Sequence, residues 1–370
     1  MLQENTQANP IKEYYIAYFD LLGYKNFFQN YPDKVGDFLQ VIHEAVFNTK
    51  HYIREINSSP VGAEFGKLFI QTKVFSDNVL LCLERSTDPV EYPRFLAFLA
   101  IIAEIQRSFI LRYGLFLRGG ITIGELSFNE DFVFGQGLID AVALEEAAIY
   151  PRIILDESVL KYVFQPHFVQ QDDLNKACEI ENRAHSGEHI SDEELAFCNS
   201  IMPAVNMEKF YLQWRNHLLF PVLDGIVVLN YLYCLDITNI LDQTTIGQVL
   251  SVLKTFSPND YQRLHNLNTN TNQKEQLAQH KVQVIQKINE FGKYNDLDIS
   301  DIKGADVREH ILKKYLWVLT FHNYVCEAYG IPDCRIKSGS NYDVRFMKTT
   351  IEIFEDDPPT STQQEGSKDE

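Results

Sequence analysis

The order of its apolar segments constrains the fold of this chain more than any other sequence feature. Runs dense in aromatic and β-branched residues predict strands, and apolar residues at helical spacing predict amphipathic helices. The predicted elements are a strand at 14–19, a helix at about 33–56, strands at 67–75 and 79–84, a helix at 91–112 and a strand at 115–126. This is the β-α-β-β-α-β order of a ferredoxin-like α/β (α+β) fold, in which helices cover one face of the sheet and leave the other available.

The remaining segments extend this core. They predict a strand at about 131–134, a helix at about 137–149, a strand at 152–155, a buried strand pair or long strand at 223–235, helices beyond about 245 with a polar break at 266–275, a strong helix at 305–329 and a last strand at 343–354. Residues 170–200 are polar and acidic, which indicates an insertion rather than core.

These patterns divide the chain into three parts. We expect a domain at 11–240 that contains the polar insertion at about 170–214, followed by a mainly helical extension at 241–354. The tail at 355–370 is polar and contains neighbouring prolines, so we expect it to be disordered.

Composition narrows the class of partner. Lys and Arg number 33 against 51 Asp and Glu, and the net charge of −18 argues against a long polyanion, whereas a small nucleotide neutralised by metal ions stays compatible. The 370 residues are 45% apolar, which is enough for a large buried core.

The N-terminus lacks the pattern of a signal peptide, and no run approaches the roughly 18 apolar residues of a membrane span. We therefore expect a cytoplasmic protein that binds neither nucleic acid nor membrane.

The spacing of cysteine and histidine does not match common disulfide or zinc motifs. The six cysteines include no CxxC pair, and the ten histidines show no HxH pairing. We expect the cysteines to be free thiols and the histidines to have isolated structural or surface roles.

Two aspartates stand out by position. Asp20 ends the apolar first strand, where a buried unpaired charge is costly unless a partner or metal compensates it. Asp77 lies at the tip of the hairpin that follows, and in a β-α-β-β sheet this hairpin is commonly next to the first strand. Two converging carboxylates form a hard oxygen site suited to Mg²⁺ or Mn²⁺ when substrate phosphates complete the shell, as in two-metal phosphoryl transfer.

Each aspartate also has a purely structural interpretation. Asp77, within Ser-Asp-Asn, could be a turn residue whose side chain bonds its own backbone. Asp20 could be the N-cap of a short helix that begins at Leu21. Neither residue alone decides between these alternatives.

Cations and backbone donors near these aspartates would suit a nucleotide. Strand parity places Lys73 and Arg118 on the face away from the helix-covered core, where each could equally be a solvated or salt-bridged strand residue. Leu22, Gly23 and Tyr24 could present backbone N–H groups at a helix start, which is an anion site suited to a triphosphate.

The glycines at 119 and 120 lie inside the predicted fourth strand. A strand glycine allows another backbone or a ligand to approach the sheet closely. A ligand, a partner or a packed helix would each explain this pair.

Four segments in order resemble motifs of the class III nucleotide cyclases. FDLLGYKNF resembles the first-strand metal motif of that family, KVFSDNVLL its hairpin, LRGGITIGEL its G-I-x-x-G strand and FGQGLIDAVALEEAAIYPRIIL the helix that follows. The resemblance covers residues 14 to 155. It implies a class III cyclase core with an insertion and a helical C-terminal extension.

Variant forms of the motifs resemble the bacterial Pycsar pyrimidine cyclases. The similar segments are the R-G-G-I-T strand, A-x-x-L-E-E-x-A-x-Y-P-R-I-I, the pair Asp224–Gly225 and the closing KYLWVLTFHN. That family makes cyclic UMP or cyclic CMP during phage infection and thereby switches on a separately encoded effector. The resemblance implies UTP or CTP as substrate, a head-to-tail homodimer with active sites between the sheets, and no direct contact with the effector.

The resemblance also implies roles for particular residues. Asp20 and Asp77 would hold two Mn²⁺ or Mg²⁺ ions, with the backbone carbonyl of Leu21 as an added ligand. Lys73 occupies the position that faces the base, and Arg118 is a candidate contact to base or phosphate.

One departure from the family pattern concerns the transition state. The usual class III helix carries an Asn four residues and an Arg eight residues after its glycine, and counting from Gly135 gives Ile139 and Ala143. Either Arg118 or Arg152 substitutes, or the chemistry is slower or differently arranged.

Two further functions remain open on the sequence. An adenylate cyclase is compatible with Lys73, although the missing Asn and Arg argue against it. A catalytically silent nucleotide sensor would use the insertion and the C-terminal helices as a contact surface, but such a module has no need of two metal ligands.

Overall fold

The structure is a computed structural model, and it describes residues 10–23, 36, 40, 53–54, 57–58, 67–88, 90–129, 132–165, 167–222, 225–233, 258–291 and 307–336. The predicted helix at about 33–56 lies mostly outside these ranges. The predicted strand at 343–354 and the tail at 355–370 lie entirely outside them.

Strands and helices alternate through the first half of the described chain. The strands are β1 (Lys12–Leu21), β2 (Ile70–Phe75), β3 (Asn78–Glu84), β4 (Leu117–Phe128), β5 (Val133–Phe134), β6 (Ile153–Leu155), β7 (Leu219–Pro221) and β8 (Val227–Leu229). The helices are α1 (Glu91–Tyr113), α2 (Gln136–Ala148), α3 (Glu157–Val163), α4 (Gln171–His185), α5 (Asp192–Leu218), α6 (Pro258–Phe291) and α7 (Val307–Ala328). A 3₁₀ turn at Pro332–Cys334 follows α7.

The described strands form one mixed sheet in the order β2-β3-β1-β4-β6-β8-β7, with β5 paired to β4 outside this path. Within the part β2-β3-β1-β4, each strand runs antiparallel to the next. Their order and directions are those of the ferredoxin-like arrangement. β6 joins β4 in parallel and extends the sheet on that side. The predicted α/β fold class is therefore confirmed.

The main hydrophobic core lies between α1 and one face of the sheet. Tyr15, Ala17 and Phe19 of β1 are completely buried in it, because alternate side chains of a strand point to the same face. Helix α1 is apolar around most of its circumference, as expected for a helix enclosed by other elements. It ends at Gly114, which adopts a left-handed conformation with φ +64°.

The opposite face of the sheet is not open, because α2 packs against β4 and β1. Glycines make this close approach possible. A Cβ on Gly124 would lie 2.6 Å from the Cα of Gly137, and a Cβ on Gly120 would overlap the Cβ of Leu144. The prediction that one face stays available is therefore wrong in part, and Gly120 serves a packed helix.

The far edge of the sheet is a short hairpin of β7 and β8. The prediction of a strand pair or long strand at 223–235 is wrong in its bounds: of the described residues 225–233, only Val227–Leu229 is strand, and its hairpin partner precedes this range. The chain leaves the strand at Asn230, whose side chain donates to the carbonyl of His217 at 2.9 Å. Asp224 lies outside the described residues.

The predicted insertion consists mainly of α4 and α5. Helix α5 begins with a capping box in which Ser191 and Glu194 bond each other's backbone N–H groups. Further along the chain, α6 continues through the predicted polar break at 266–275, so that prediction is wrong. One polar side chain of that stretch, Gln273, is buried and donates to the carbonyl of Leu232 at 2.6 Å.

The C-terminal helices share the core of the sheet. Leu277 and Val284 of α6, and Leu316 and Leu319 of α7, belong to the same buried cluster as α1 and β1. Both helices therefore pack directly on the elements that carry the predicted site.

Candidate active site

Asp20 lies at the end of β1, between two neighbouring strands. It is directly opposite Asn78 of β3 on one side and Arg118 of β4 on the other. Its side chain is 19% exposed. Because Asp20 is a paired strand residue and β1 continues to Leu21, the interpretation as a helix N-cap is wrong.

Asp77 reaches the same end of the sheet through a tight turn. Ser76 and Asp77 connect the paired residues Phe75 and Asn78, and Ser76 adopts a positive φ of 59°. The carbonyl of Asp77 accepts the N–H of Leu21 at 3.1 Å. This bond attaches the turn to the chain directly after Asp20. Asp77 is therefore a turn residue that lies beside Asp20, and its Oδ1 accepts the side-chain amide of Asn78 at 3.4 Å.

The carboxylate of Asp20 is in an unfavourable electrostatic position. Burial raises its pKa first, the charges of Asp77 and Glu145 raise it further, and Arg118 opposes them. At this point the protein therefore holds more negative charge than its own cations offset.

Glu145 is a site residue that the sequence reasoning did not single out. Its side chain is 7% exposed. The Nε of Arg118 donates to its Oε1 at 2.6 Å, and Nη2 contacts the same oxygen. The same Nη2 lies 3.7 Å from Oδ2 of Asp20. A glutamate at a buried position of the Leu-Glu-Glu motif in α2 was the available signal.

Gly120 determines where Glu145 lies. The preceding residue, Leu144, rests directly on Gly120, and that glycine is two residues from Arg118 in β4. Burial raises the pKa of Glu145, whereas the charge and hydrogen bond of Arg118 lower it. The glycine therefore brings a carboxylate of α2 onto a cation of the sheet.

Lys73 lies on the same face, two strands from β1. It is directly opposite Leu80, which belongs to the smaller cluster under α2. Its Nζ lies 5.8 Å from the centre of the Phe128 ring. This is the face that strand parity predicted.

The proposed backbone donors are only partly supported. Leu22 and Gly23 form a turn, and Gly23 is exposed with φ +88°. The N–H of Leu22 donates to the carbonyl of Phe116 at 2.9 Å, so it does not point to a phosphate. Tyr24 lies outside the described residues. Gly23 is the described residue of this segment that remains suitable.

Arg152 is buried in a different environment from Arg118. Its Nε donates to the carbonyl of Ala148 at 2.9 Å. Its guanidinium lies 5.2 Å from the ring of Tyr150 and 5.5 Å from that of Trp317. These contacts attach the end of α2 to α7, which favours a packing role for Arg152.

The donor set fits divalent cations only with help from a substrate. Asp20 and Asp77 supply hard oxygen ligands, and a bound cation would relieve the repulsion between them. The backbone carbonyl of Leu21, the candidate third ligand, follows Asp20 directly in the sequence. Among the described residues, no group of three or more His, Cys, Asp or Glu side chains could hold a metal ion by itself. Phosphate oxygens would have to complete the shell.

Comparison with known proteins found a match among solved structures. No protein-family model matches the chain. No curated protein matches it either. Among solved structures, the fold is similar to the crystal structure of the adenylyl cyclase CyaB from P. aeruginosa, with a TM-score of 0.29 and 14% identity over 42% of this chain and 81% of that one. A similarity at this level supports no conclusion about activity.

Proposed function

We propose that this protein is a metal-dependent nucleotide cyclase that converts UTP or CTP to the 3′,5′-cyclic monophosphate and pyrophosphate. The observation that carries the proposal is the meeting of Asp20 and Asp77 beside Arg118 at one end of the sheet. Two carboxylates, Asp20 and Glu145, lie beside that arginine, and Asp77 lies close to Asp20, so an anionic triphosphate would be repelled unless divalent cations accompany it.

The reaction is an intramolecular displacement at phosphorus. The 3′ oxygen of the ribose forms a bond to the α-phosphorus while the bond between that phosphorus and the β-bridging oxygen breaks. The hydroxyl proton leaves to solvent, and pyrophosphate departs with the electron pair. Bound Mn²⁺ or Mg²⁺ would lower the pKa of the 3′ hydroxyl and neutralise charge on the phosphates.

In this proposal, the charged side chains of the candidate site have distinct roles. Asp20 and Asp77 bind the cations and thereby orient the triphosphate. Arg118 stabilises charge on the phosphates, and Glu145 positions its guanidinium. Lys73 faces the base from the neighbouring strands.

The choice of a pyrimidine is supported by the motif resemblance and by the departures at two positions. Ile139 and Ala143 occupy the positions of the usual Asn and Arg, and both are exposed on α2. We propose that the cyclic product acts as a second messenger in antiphage defence, through an effector that binds the nucleotide rather than the enzyme.

Exposed apolar side chains on β5 and α2 support a homodimer. Phe134 of β5 is 70% exposed and Ile139 of α2 is 62% exposed. Exposed aromatic and aliphatic side chains in one area are typical of an interface. A second copy packed there would enclose the site between two sheets.

The setting of the reaction is proposed to be the cytoplasm. Within the described residues, no helix combines the length and the apolar character that crossing a membrane requires. The nucleoside triphosphates that the proposal needs are cytoplasmic metabolites.

Incubation of the protein with each of the four nucleoside triphosphates and Mn²⁺ tests the proposal, with the products identified by mass spectrometry. Cyclic UMP or cyclic CMP supports it, and cyclic AMP would replace it with an adenylate cyclase. No product from any substrate would overturn the enzymatic proposal. Asp20→Asn and Asp77→Asn variants show whether any product depends on this site.

A further inference from the structure

The closing motif KYLWVLTFHN forms the middle of α7, and none of its residues has a role in the reaction proposed above. Its first residue is Lys314. Two aromatic side chains that follow it fix the position of α7 relative to the site.

Tyr315 attaches α7 to the start of β4. Its ring packs edge to face on Phe116, with the ring centres 5.2 Å apart. The carbonyl of Phe116 accepts the N–H of Leu22, two residues beyond Asp20. Arg118 follows Phe116 by two residues. The helix therefore passes the end of the sheet at which Asp20 and Arg118 meet.

Trp317 attaches α7 to the end of α2. It stacks on Tyr150, with ring centres 5.8 Å apart and an angle of 11° between the planes. Tyr150 follows Glu145 by five residues, just after the helix ends. Lys314 lies three residues before Trp317, and residues at this spacing occupy the same side of a helix. That side faces the end of α2 from which Glu145 reaches Arg118.

The charges of the site act directly on Lys314. Its side chain is partly buried, and it interacts electrostatically with Arg118, Asp20 and Glu145. Burial and the positive charge of Arg118 lower its pKa, whereas the two carboxylates raise it. Lys314 therefore lies within reach of the same charges that surround Arg118.

From this placement we propose that Lys314 contacts the triphosphate and stabilises charge on the departing pyrophosphate, in the role that an arginine at position 143 would otherwise have. This inference rests on the proposed nucleotide cyclase function. It makes α7 part of the active site of its own protomer, because the cation comes from the C-terminal extension rather than from α2.

The variant Lys314→Met tests this proposal, because methionine keeps much of the side-chain length without the charge. We expect kcat to fall about 100-fold with Mn²⁺ and UTP or CTP and KM to rise about two- to fivefold, since Lys314 contacts the triphosphate in the ground state but the charge develops mainly in the transition state. Lys314→Arg should retain activity within about tenfold of the native enzyme. Lys313→Met, at the exposed neighbouring position, is the matched control and should keep native kcat.

Two results would overturn the role of Lys314. One is a kcat within about threefold of native for Lys314→Met. The other is a loss of kcat that accompanies a fall in the melting temperature of Lys314→Met and is not rescued by Lys314→Arg.

Binding of Mn²⁺ with α,β-methylene-UTP and α,β-methylene-CTP, measured by calorimetry, separates this inference from the proposed function. If the native protein makes no cyclic product, weaker analogue binding by Lys314→Met still supports the contact, and equal binding, or none by the native protein, refutes it.

Discussion

Arg118 is bonded to Glu145 more closely than to Asp20, its direct partner across the strands. The distance from its Nε to Oε1 of Glu145 is 2.6 Å, whereas its Nη2 lies 3.7 Å from Oδ2 of Asp20. The cation of the site is therefore positioned by α2. Asp20 keeps most of its charge uncompensated, which suits a ligand of divalent cations.

Asp20→Asn and Asp77→Asn should each lower the proposed cyclase activity by about 1000-fold or more, because each removes a proposed cation ligand. Without metal, Asp20→Asn should raise the melting temperature at neutral pH, since it removes the repulsion between two partly buried carboxylates. Asp172→Asn, on the exposed first turn of α4, is the control. Product formation and thermal unfolding measure the two effects, and full activity in Asp20→Asn would disprove the ligand role.

Glu145→Gln should lower kcat by about 10- to 100-fold, because Arg118 loses its charged partner while it remains in the sheet. A double-mutant cycle with Arg118→Ala should show a coupling energy of about 1–3 kcal/mol in the free energy of unfolding. Additive effects of the two substitutions would contradict the positioning role.

Gly120→Ala should destabilise the protein by about 2–4 kcal/mol, because the added methyl group overlaps Leu144 and forces α2 away from the sheet. Activity should fall more steeply than stability, since displacement of α2 moves Glu145. Gly36→Ala is the control, because a Cβ there meets nothing within 4 Å. Urea unfolding measures the stability, and a fully stable and active Gly120→Ala protein would contradict the close packing.

Two buried histidines should make stability depend on pH. The Nε2–H of His322 donates to the carbonyl of Cys334 at 2.9 Å, so its Nδ1 accepts the Nδ1–H of His280 at 3.0 Å. The Nε2 of His280 then accepts the hydroxyl of Tyr231 at 3.1 Å. This chain of hydrogen bonds requires both rings to be neutral.

Burial lowers the pKa of His322 to about 4 and that of His280 well below its usual value. Because the unfolded chain binds these protons more readily, stability should fall as the pH drops from about 6.5 towards 4, by up to about 1.4 kcal/mol per pH unit for each histidine. Urea unfolding of His322→Gln across this range should show a shallower decline. His185→Gln, at an exposed position, should leave the slope unchanged.

Ile139→Glu should weaken the proposed homodimer, because it places a charge in the exposed apolar surface of α2. Light scattering coupled to gel filtration should show a shift from dimer to monomer, with a parallel loss of activity. Val282→Glu, an exposed apolar residue on α6, is the control. A native protein that is monomeric at all concentrations would refute the dimer.

Local pattern was sufficient to predict most of the strands and α1. The runs at 14–19, 67–75 and 79–84 carry their own strand preference, and Gly114 marks the end of α1 by its conformational freedom. Local sequence pattern also located Asp20 and Asp77, because their positions relative to strand ends are local properties. Polar composition was a poorer guide at 266–275, where α6 continues and packing overrides weak helix propensity.

Only the tertiary structure decided which distant residues meet. His280 and His322 are 42 positions apart and show no sequence pairing, yet their rings are hydrogen-bonded in the core. Glu145 and Lys314 come near Asp20 and Arg118 because α2 rests on Gly120 and α7 packs on Phe116, and such contacts depend on the packing of whole elements. The sequence alone determined the ferredoxin-like strand order and the positions of Asp20 and Asp77 at the strand ends. The packing of α2 and α7 decided which charged side chains lie near these aspartates.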